Sequence, residues 1–153
     1  MPKITPFLWF DGQAEEAMNY YLSIFKNGKV VNVHRANGKV LGVAFELEGQ
    51  RIMALNGGPL FKFTEAVSLF VDCETQQEVD ELWEKLCAGG GQPGRCGWLK
   101  DKFGLSWQII PKTLMKLLSD PDPQKSQAVM QAMLKMNKII VEDLQRAYEG
   151  KAA

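Results

Sequence analysis

The sequence predicts an α+β fold in which two βαβββ modules are followed by a helical C-terminal extension. Three observations lead to it: the chain repeats its own pattern after 61 residues, turn signals separate short apolar segments, and helical spacing takes over after Pro111. An internal repeat is read before any motif because it fixes the architecture. We expect residues 1–153 to form a single domain, with modules at 3–59 and 65–111 and the extension at 112–153.

The first module opens with a strand over residues 3–10, KITPFLWF. A helix follows, predicted by apolar residues at helical spacing, namely Ala14, Ala17, Met18, Tyr21, Leu22 and Phe25. Gly28 marks its end. Asn37-Gly38 between two β-branched runs is a strong hairpin signal, and a turn over residues 48–50 leads into a last strand over 51–56.

A displacement of 61 residues brings Asp72 onto Asp11 and starts the second module. Its helix begins with a capping-box pattern, Thr75 followed by Glu78. Its last hairpin, CGWLKDKFGLSWQIIP, turns at residues 101–104. The Gly/Pro-rich segment AGGGQPGRCG replaces the first strand pair, so we expect an abbreviated second copy.

The extension contains a short helix at TLMKLL, a breaker at SDPDP, a helix at QKSQAVMQAMLKMNK and a final short helix at VEDLQRAYEG. Methionines lie along one face of the middle helix. At helical spacing such a face favours core or dimer packing, and an adaptable binding surface is the alternative.

Composition excludes several classes of function. Eighteen basic residues balance eighteen acidic residues without a basic stripe, which argues against a nucleic-acid partner. No apolar run approaches the roughly 20 residues of a membrane span, and the N-terminus lacks a signal-peptide core. We therefore expect a cytoplasmic protein with no membrane partner.

Cysteine and histidine offer little local chemistry. The three cysteines form no CxxC pair, so we expect reduced thiols rather than a zinc or redox motif. No local motif supplies carboxylate partners to His34, the single histidine, so we assign it no catalytic or metal role.

Two segments, ITPFLWFDGQAEEAMNYYLSIF and CGWLKDKFGLSWQIIP, together with the paired βαβββ modules, resemble the vicinal oxygen chelate superfamily, the group of glyoxalase I, bleomycin-resistance proteins and extradiol dioxygenases. Within it the chain is most similar to PhnB-like proteins, which carry the label 3-demethylubiquinone-9 3-methyltransferase. The tail SDPDPQKSQAVMQAMLKMNKIIVEDLQRAYEG also resembles that subfamily. The resemblance implies a glyoxalase/bleomycin-resistance-like fold whose cup-shaped sheets hold a small ligand. It also implies a homodimer, since a partner commonly closes such cups.

The resemblance further implies metal-ligand positions on the first and last strand of each module, which fall at Thr5, Met53, Ala66 and Gln108. One hydroxyl, one thioether and one amide do not make an ordinary divalent-metal site. We therefore expect no metal and no cofactor. A register shift that brought Glu65 with Glu46 or Glu48 into the cup would reverse this expectation.

Methyl transfer is not predicted either. Transfer from S-adenosylmethionine usually relies on a glycine-rich turn after the first strand of a doubly wound sheet. The one glycine cluster here, residues 89–91, follows a helix and is typical of its C-terminal stop.

Strand alternation predicts a ligand-binding lining that is aromatic and apolar with a few small polar groups. The residues expected to bind ligand are Thr5, Phe7, Trp9, Met53, Asn56, Ser68, Phe70, Cys96 and Gln108. Because this lining lacks a general base, the sequence favours a protein that binds a small, partly apolar metabolite. The alternative is a metal-independent enzyme on such a metabolite, with catalytic residues unknown.

Two residues of that lining leave alternatives open. For an enzyme, the candidate nucleophile is Cys96, provided that Arg95 and Lys100 lower its pKa. Gln108 either orients a ligand or ties neighbouring strands, and the remaining alternative is an amide that bonds only to backbone. Cys96 and Trp98 are expected on the strand that neighbours that of Gln108, and the side on which they face does not follow from the sequence.

Overall fold

The computed structural model describes residues 2–151. The chain divides between Phe63 and Thr64 into two compact units. Each unit contains one four-stranded sheet, and the second also contains the C-terminal helices. The predicted α+β fold is confirmed.

The first unit has the predicted element order, with strands β1 (Phe7–Phe10), β2 (Gly28–Ala36), β3 (Lys39–Leu47) and β4 (Gln50–Asn56) and helix α1 (Ala14–Ile24). Its strands lie in the order β1-β4-β3-β2, with β1 parallel to β4 and the other pairs antiparallel. Strand β1 begins four residues later than predicted. Pro6 precedes it and has no N–H to donate to the ladder, although its carbonyl accepts a hydrogen bond from the Met53 N–H.

Both predicted turns of the first unit are present. Asn37 and Gly38 have φ of 52° and 76°, and Glu48 and Gly49 have φ of 49° and 82°. Two consecutive residues at positive φ suit the right-handed twist of a two-residue hairpin.

Helix α1 covers one side of the first sheet. Its buried residues Ala17, Met18 and Tyr21 face this side, where Tyr21 stacks on Phe45 with 6.4 Å between ring centroids. The strands turn a matching set of side chains toward the helix, namely Leu8, Phe10, Val43, Phe45, Leu47, Ile52 and Ala54. Because successive residues alternate across a strand, the residues between them face away from α1.

Asn56, the last residue of β4, joins three elements of the first unit. Its Oδ1 accepts a hydrogen bond from the Ala14 N–H at 2.9 Å, and its Nδ2 donates to the Val40 carbonyl at 3.1 Å. The residue that precedes α1, Gln13, makes no side-chain capping bond. A strand residue 42 positions away thus satisfies a free amide at the start of the helix.

The second unit repeats this topology with strands β5 (Ser68–Cys73), β6 (Gln92–Pro93), β7 (Trp98–Lys100) and β8 (Ser106–Pro111), and helix α2 (Gln76–Cys87). The strand order β5-β8-β7-β6 corresponds to that of the first sheet. Strand β6 has only two residues, which agrees with the predicted abbreviation. Thr75 caps α2 by accepting from the Glu78 N–H at 3.1 Å, while the Glu78 carboxylate accepts from the Glu74 N–H.

A buried carboxylate shapes the turn between β7 and β8. Asp101 Oδ1 accepts from the N–H groups of Phe103 and Leu105, and Oδ2 accepts from Trp107 Nε1 at 2.9 Å. These bonds offset the free-energy cost of burying Asp101, which is only 3% exposed.

Three helices complete the chain: α3 (Lys112–Leu118), α4 (Pro123–Met133) and α5 (Val141–Tyr148). They pack on the end of β8 through a buried cluster of Ile110, Leu114, Val129, Ile139 and Leu144. Met133 and Met136 pack against this cluster, which favours the core-packing role predicted for the methionine face, while Met130 stays exposed.

Helix α4 ends earlier than the sequence predicts, and the following residues 134–140 form a strap. Gln76 at the start of α2 holds this strap, because its Nε2 donates to the Ile139 carbonyl at 3.0 Å and its Oε1 accepts from the Val141 N–H at 2.7 Å. A continued helix is also excluded because the Met136 and Asn137 carbonyls accept from the N–H groups of Cys96 and Gly97.

Replacing Asn56 with alanine should lower the free energy of unfolding by about 1–3 kcal/mol, because the Ala14 N–H and Val40 carbonyl lose their partner. Urea denaturation would measure this loss. The control is Asn32→Ala, since Asn32 is an exposed residue of β2. Equal stability of the two variants would contradict the capping role.

Replacing Gln76 with alanine should release the strap, because both backbone bonds to residues 139 and 141 are lost. We expect hydrogen exchange of amides in residues 136–141 to accelerate by about tenfold or more. The neighbouring Gln77→Ala is the control, since Gln77 bonds only Glu81 on the helix surface. Unchanged protection in Gln76→Ala would show that the cluster and the backbone bonds from Cys96 and Gly97 hold the strap without Gln76.

Candidate functional site: the uncovered sheet faces

The side of the first sheet that faces away from α1 is called here the first open face. Cross-strand pairs share a face, so the register arranges its residues in three rows. One row is charged and contains Lys29, Glu46 and Arg51. The next contains Asn32, Ala44, Met53 and Phe7, and the third contains His34, Gly42, Leu55 and Trp9.

Three predicted ligand residues share this face. Phe7 is 55% exposed and lies beside Met53 in the register. Trp9 is only half-buried, because residues 57–61 fold against it: its Nε1 donates to the Gly58 carbonyl at 2.9 Å and its ring meets Phe61 edge-on at 4.9 Å. A side chain at Gly57 would overlap the indole ring, since a Cβ there would lie 2.3 Å from it. Trp9 is therefore held in place by its own chain.

The other two predicted residues of this unit lie elsewhere. Thr5 precedes β1, two residues before the register position beside Met53. Asn56 lies on the helix side of the sheet, with both polar groups of its side chain bonded to protein. It does not join Phe7, Trp9 and Met53 on the open face.

Sequence reasoning missed the charged row. Arg51 Nη2 lies 3.2 Å from Glu46 Oε2, and Lys29 Nζ lies 4.0 Å from Glu46 Oε1. The lining that is predicted to lack a general base thus shares its face with Glu46 and His34, and no register shift is needed to bring Glu46 onto it. The alternation of side chains along β3 indicates the position of Glu46, since Glu46 lies between the buried residues Phe45 and Leu47.

Arg51 is incompletely satisfied within residues 2–151. Its Nε is buried without an acceptor, and only Nη2 has a protein partner. A buried donor without a partner costs about 1–3 kcal/mol.

The second open face is the side of the second sheet opposite α2. The register places Phe70, Gln108 and Trp98 in one row and Ser68, Ser106 and Lys100 in the next. Gln108 Nε2 donates to Ser68 Oγ at 2.9 Å. Gln108 therefore ties two strands through a side chain, and its carbonyl oxygen has no protein donor among the described residues.

Both ends of this face are buried, one at Ser106 and the other at Ile110. Ser106 is 1% exposed, and its hydroxyl has no partner within residues 2–151. Ile110 falls on the same side by alternation but is buried in the cluster with the C-terminal helices. The open part of the face thus ends at Gln108.

Cys96 lies outside strand β7, so the prediction that it shares a strand with Trp98 is wrong. It precedes β7 in a turn with φ of 59°, and its N–H donates to the Met136 carbonyl at 2.8 Å. Gly97 donates in the same way to Asn137. The strap thus fixes the turn that carries Cys96.

The other thiols are poor nucleophiles. Burial raises the pKa of Cys73 to about 12, and burial also raises the pKa of Cys87. Both are therefore protonated at neutral pH. The candidate partner of Cys96, Lys100, is ion-paired with Glu65.

The residues at the implied metal positions do not fit a divalent ion. Thr5 and Ala66 lie outside the strands, Met53 offers a thioether, and Gln108 offers one carbonyl oxygen. Within residues 2–151 no three His, Cys, Asp or Glu residues group closely enough to hold a metal. Glu46 and Glu65 are each paired with a cation.

No helix formed by residues 2–151 has the length and apolar character needed to cross a membrane.

Comparisons with known proteins agree with this architecture. The family model described as 3-demethylubiquinone-9 3-methyltransferase matches residues 2–110. A Bacillus cereus structure described as a putative 3-demethylubiquinone-9 3-methyltransferase, PhnB protein, is 38% identical, with a TM-score of 0.67 over 72% of this chain and 99% of that one. The search of curated proteins found no match.

Two more distant structures show the same fold. A glyoxylase/bleomycin resistance protein/dioxygenase domain from Frankia is 14% identical, with a TM-score of 0.50 over 72% of this chain and 92% of that one. A fosfomycin resistance protein from Listeria monocytogenes, complexed with Mn(II) and sulfate, is 15% identical, with a TM-score of 0.50 over 70% of this chain and 87% of that one. The chain belongs to the 3-demethylubiquinone-9 3-methyltransferase-like (PhnB) family, whose fold is that of the vicinal oxygen chelate superfamily.

Proposed function

We propose that this chain is a small-molecule-binding protein, which holds a small, partly apolar metabolite on its open sheet faces without a metal ion. The observation that carries the proposal is the pairing of exposed aromatic residues with oriented polar groups on the sides that the helices leave uncovered. Phe7 and Met53 occupy the first open face, and Phe70 lies beside Gln108 on the second.

Exposed aromatic residues on a sheet favour occupation by a ligand. Phe7 and Phe70 are each at least 50% exposed. Covering such surface contributes about 25 cal/mol per Å² of apolar area, and stacking adds about 0.5–1.5 kcal/mol per aromatic contact.

The Gln108–Ser68 pair supplies orientation. Its bond uses the amide N–H of Gln108, so the amide oxygen is left as an acceptor and the Ser68 hydroxyl hydrogen as a donor. Such a pair recognises a neutral hydroxyl or carbonyl group beside an apolar surface.

The proposal extends to the oligomeric state of the protein and to its location in the cell. A homodimer would cover apolar residues such as Val67, and the edges of the short second sheet. Balanced charge fits a cytoplasmic protein that does not bind nucleic acid. The alternative, a metal-independent enzyme, gains no support from the buried thiols or from the ion-paired Lys100.

A metabolite screen by thermal shift tests the binding proposal. A true ligand should stabilise the wild type, and Phe70→Ala or Gln108→Leu should reduce that stabilisation because stacking or orientation is lost. Met115→Ala is the matched control, since Met115 is as exposed as Phe70 but lies on α3. Ligands whose shifts persist in both variants would show that the site lies elsewhere.

Elemental analysis of protein purified without a tag tests the metal part of the proposal. We expect far less than one transition-metal ion per chain, because the four implied positions lack imidazole and carboxylate ligands. Near-stoichiometric zinc, nickel, manganese or iron that survives dialysis would overturn this expectation.

A further inference from the structure

We propose that the first open face recognises a carboxylate attached to an apolar or aromatic body, with Arg51 as its anchor. This inference rests on the proposed function and adds the chemical class of the ligand. It is carried by the charged row, by the unsatisfied guanidinium and by the shape of the neighbouring rows.

The charged row has an excess of one positive charge. Lys29, Glu46 and Arg51 lie side by side on β2, β3 and β4, so two cations share a single carboxylate. A ligand with one negative charge balances this row. A neutral ligand would leave this excess charge uncompensated.

Arg51 is the better anchor of the two cations. Its side chain is 23% exposed, whereas that of Lys29 is 69% exposed and lies at the limit of ion-pair distance from Glu46. Water and salt weaken an exposed pair much more than a half-buried one. A guanidinium also presents a planar set of donors that matches a carboxylate.

The guanidinium has donors to spare. Glu46 engages Nη2, while Nε is buried and finds no acceptor among residues 2–151. A small rotation of the side chain toward an incoming oxyanion would pair these donors, and charge-assisted bonds of this kind are among the strongest in proteins.

The adjacent rows provide a place for the apolar body. The residues next to Glu46 on the same face of β3 are the small Ala44 and Gly42, while Met53 and Leu55 flank them on β4. Residues two positions apart on one face are separated by about 7 Å. A ring-sized group held over Ala44 and Gly42 therefore places an attached carboxylate at the charged row.

The probes for this inference are phenylacetate and its neutral counterpart phenylacetamide, titrated into the full chain with methyl-labelled methionine. Both should shift the Met53 methyl signal, and phenylacetate should bind about tenfold more tightly because of the charge-assisted bonds. The Arg51→Met variant should lose this preference. The matched control is Arg35→Met, since Arg35 pairs with Glu15 of α1.

A second variant keeps the test decisive if Arg51→Met unfolds. Glu46→Gln removes the competing carboxylate, so phenylacetate should bind several-fold more tightly and phenylacetamide should be unaffected. Equal affinities for the two probes, with shifts at Met53, would overturn this inference and leave the proposed function standing. Absence of any Met53 shift from either probe would also overturn this inference, while the metabolite screen with Phe70→Ala and Gln108→Leu tests the proposed function separately.

Discussion

The structure depends on the packing of one helix against one face of each sheet. In the first unit α1 buries one face of the strands, and Tyr21 against Phe45 lies at the centre of that contact. Because side chains alternate strictly along a strand, burial of Phe45 and Leu47 places Glu46 on the other face. The same rule places Met53 between the buried Ile52 and Ala54. The residues available for function thus follow from those that the core requires.

The local parts of this fold follow from the sequence. The hairpin at Asn37-Gly38, the cap at Thr75 and the short β6 each depend on a few neighbouring residues, and each is found as predicted. The 61-residue repeat further predicts that the elements follow the same order in both units. Turn chemistry and alternation are physical constraints that act over two to four residues, so a single sequence is sufficient to reveal them.

The long-range parts of the candidate site do not follow in this way. The sequence predicts that Asn56 binds ligand, yet its amide bonds residues 42 and 16 positions away. The Glu46–Arg51 pair needs the register of β3 against β4, and the turn of Cys96 needs the strap at residues 136 and 137. No pattern within a strand specifies which distant backbone group a side chain will meet.

The three C-terminal helices lie outside the part of the chain that the family model matches. The match ends at Ile110, and the alignment with the Bacillus cereus protein spans nearly all of that chain but 72% of this one. Ile110 is also the residue of β8 that the C-terminal helices bury, and the strap fixes the neighbouring turn at Cys96 and Gly97. The second open face ends at Gln108 because residues beyond 110 cover Ile110. Under the proposed binding function, the tail therefore limits the second open face together with the strands that carry Gln108 and Phe70.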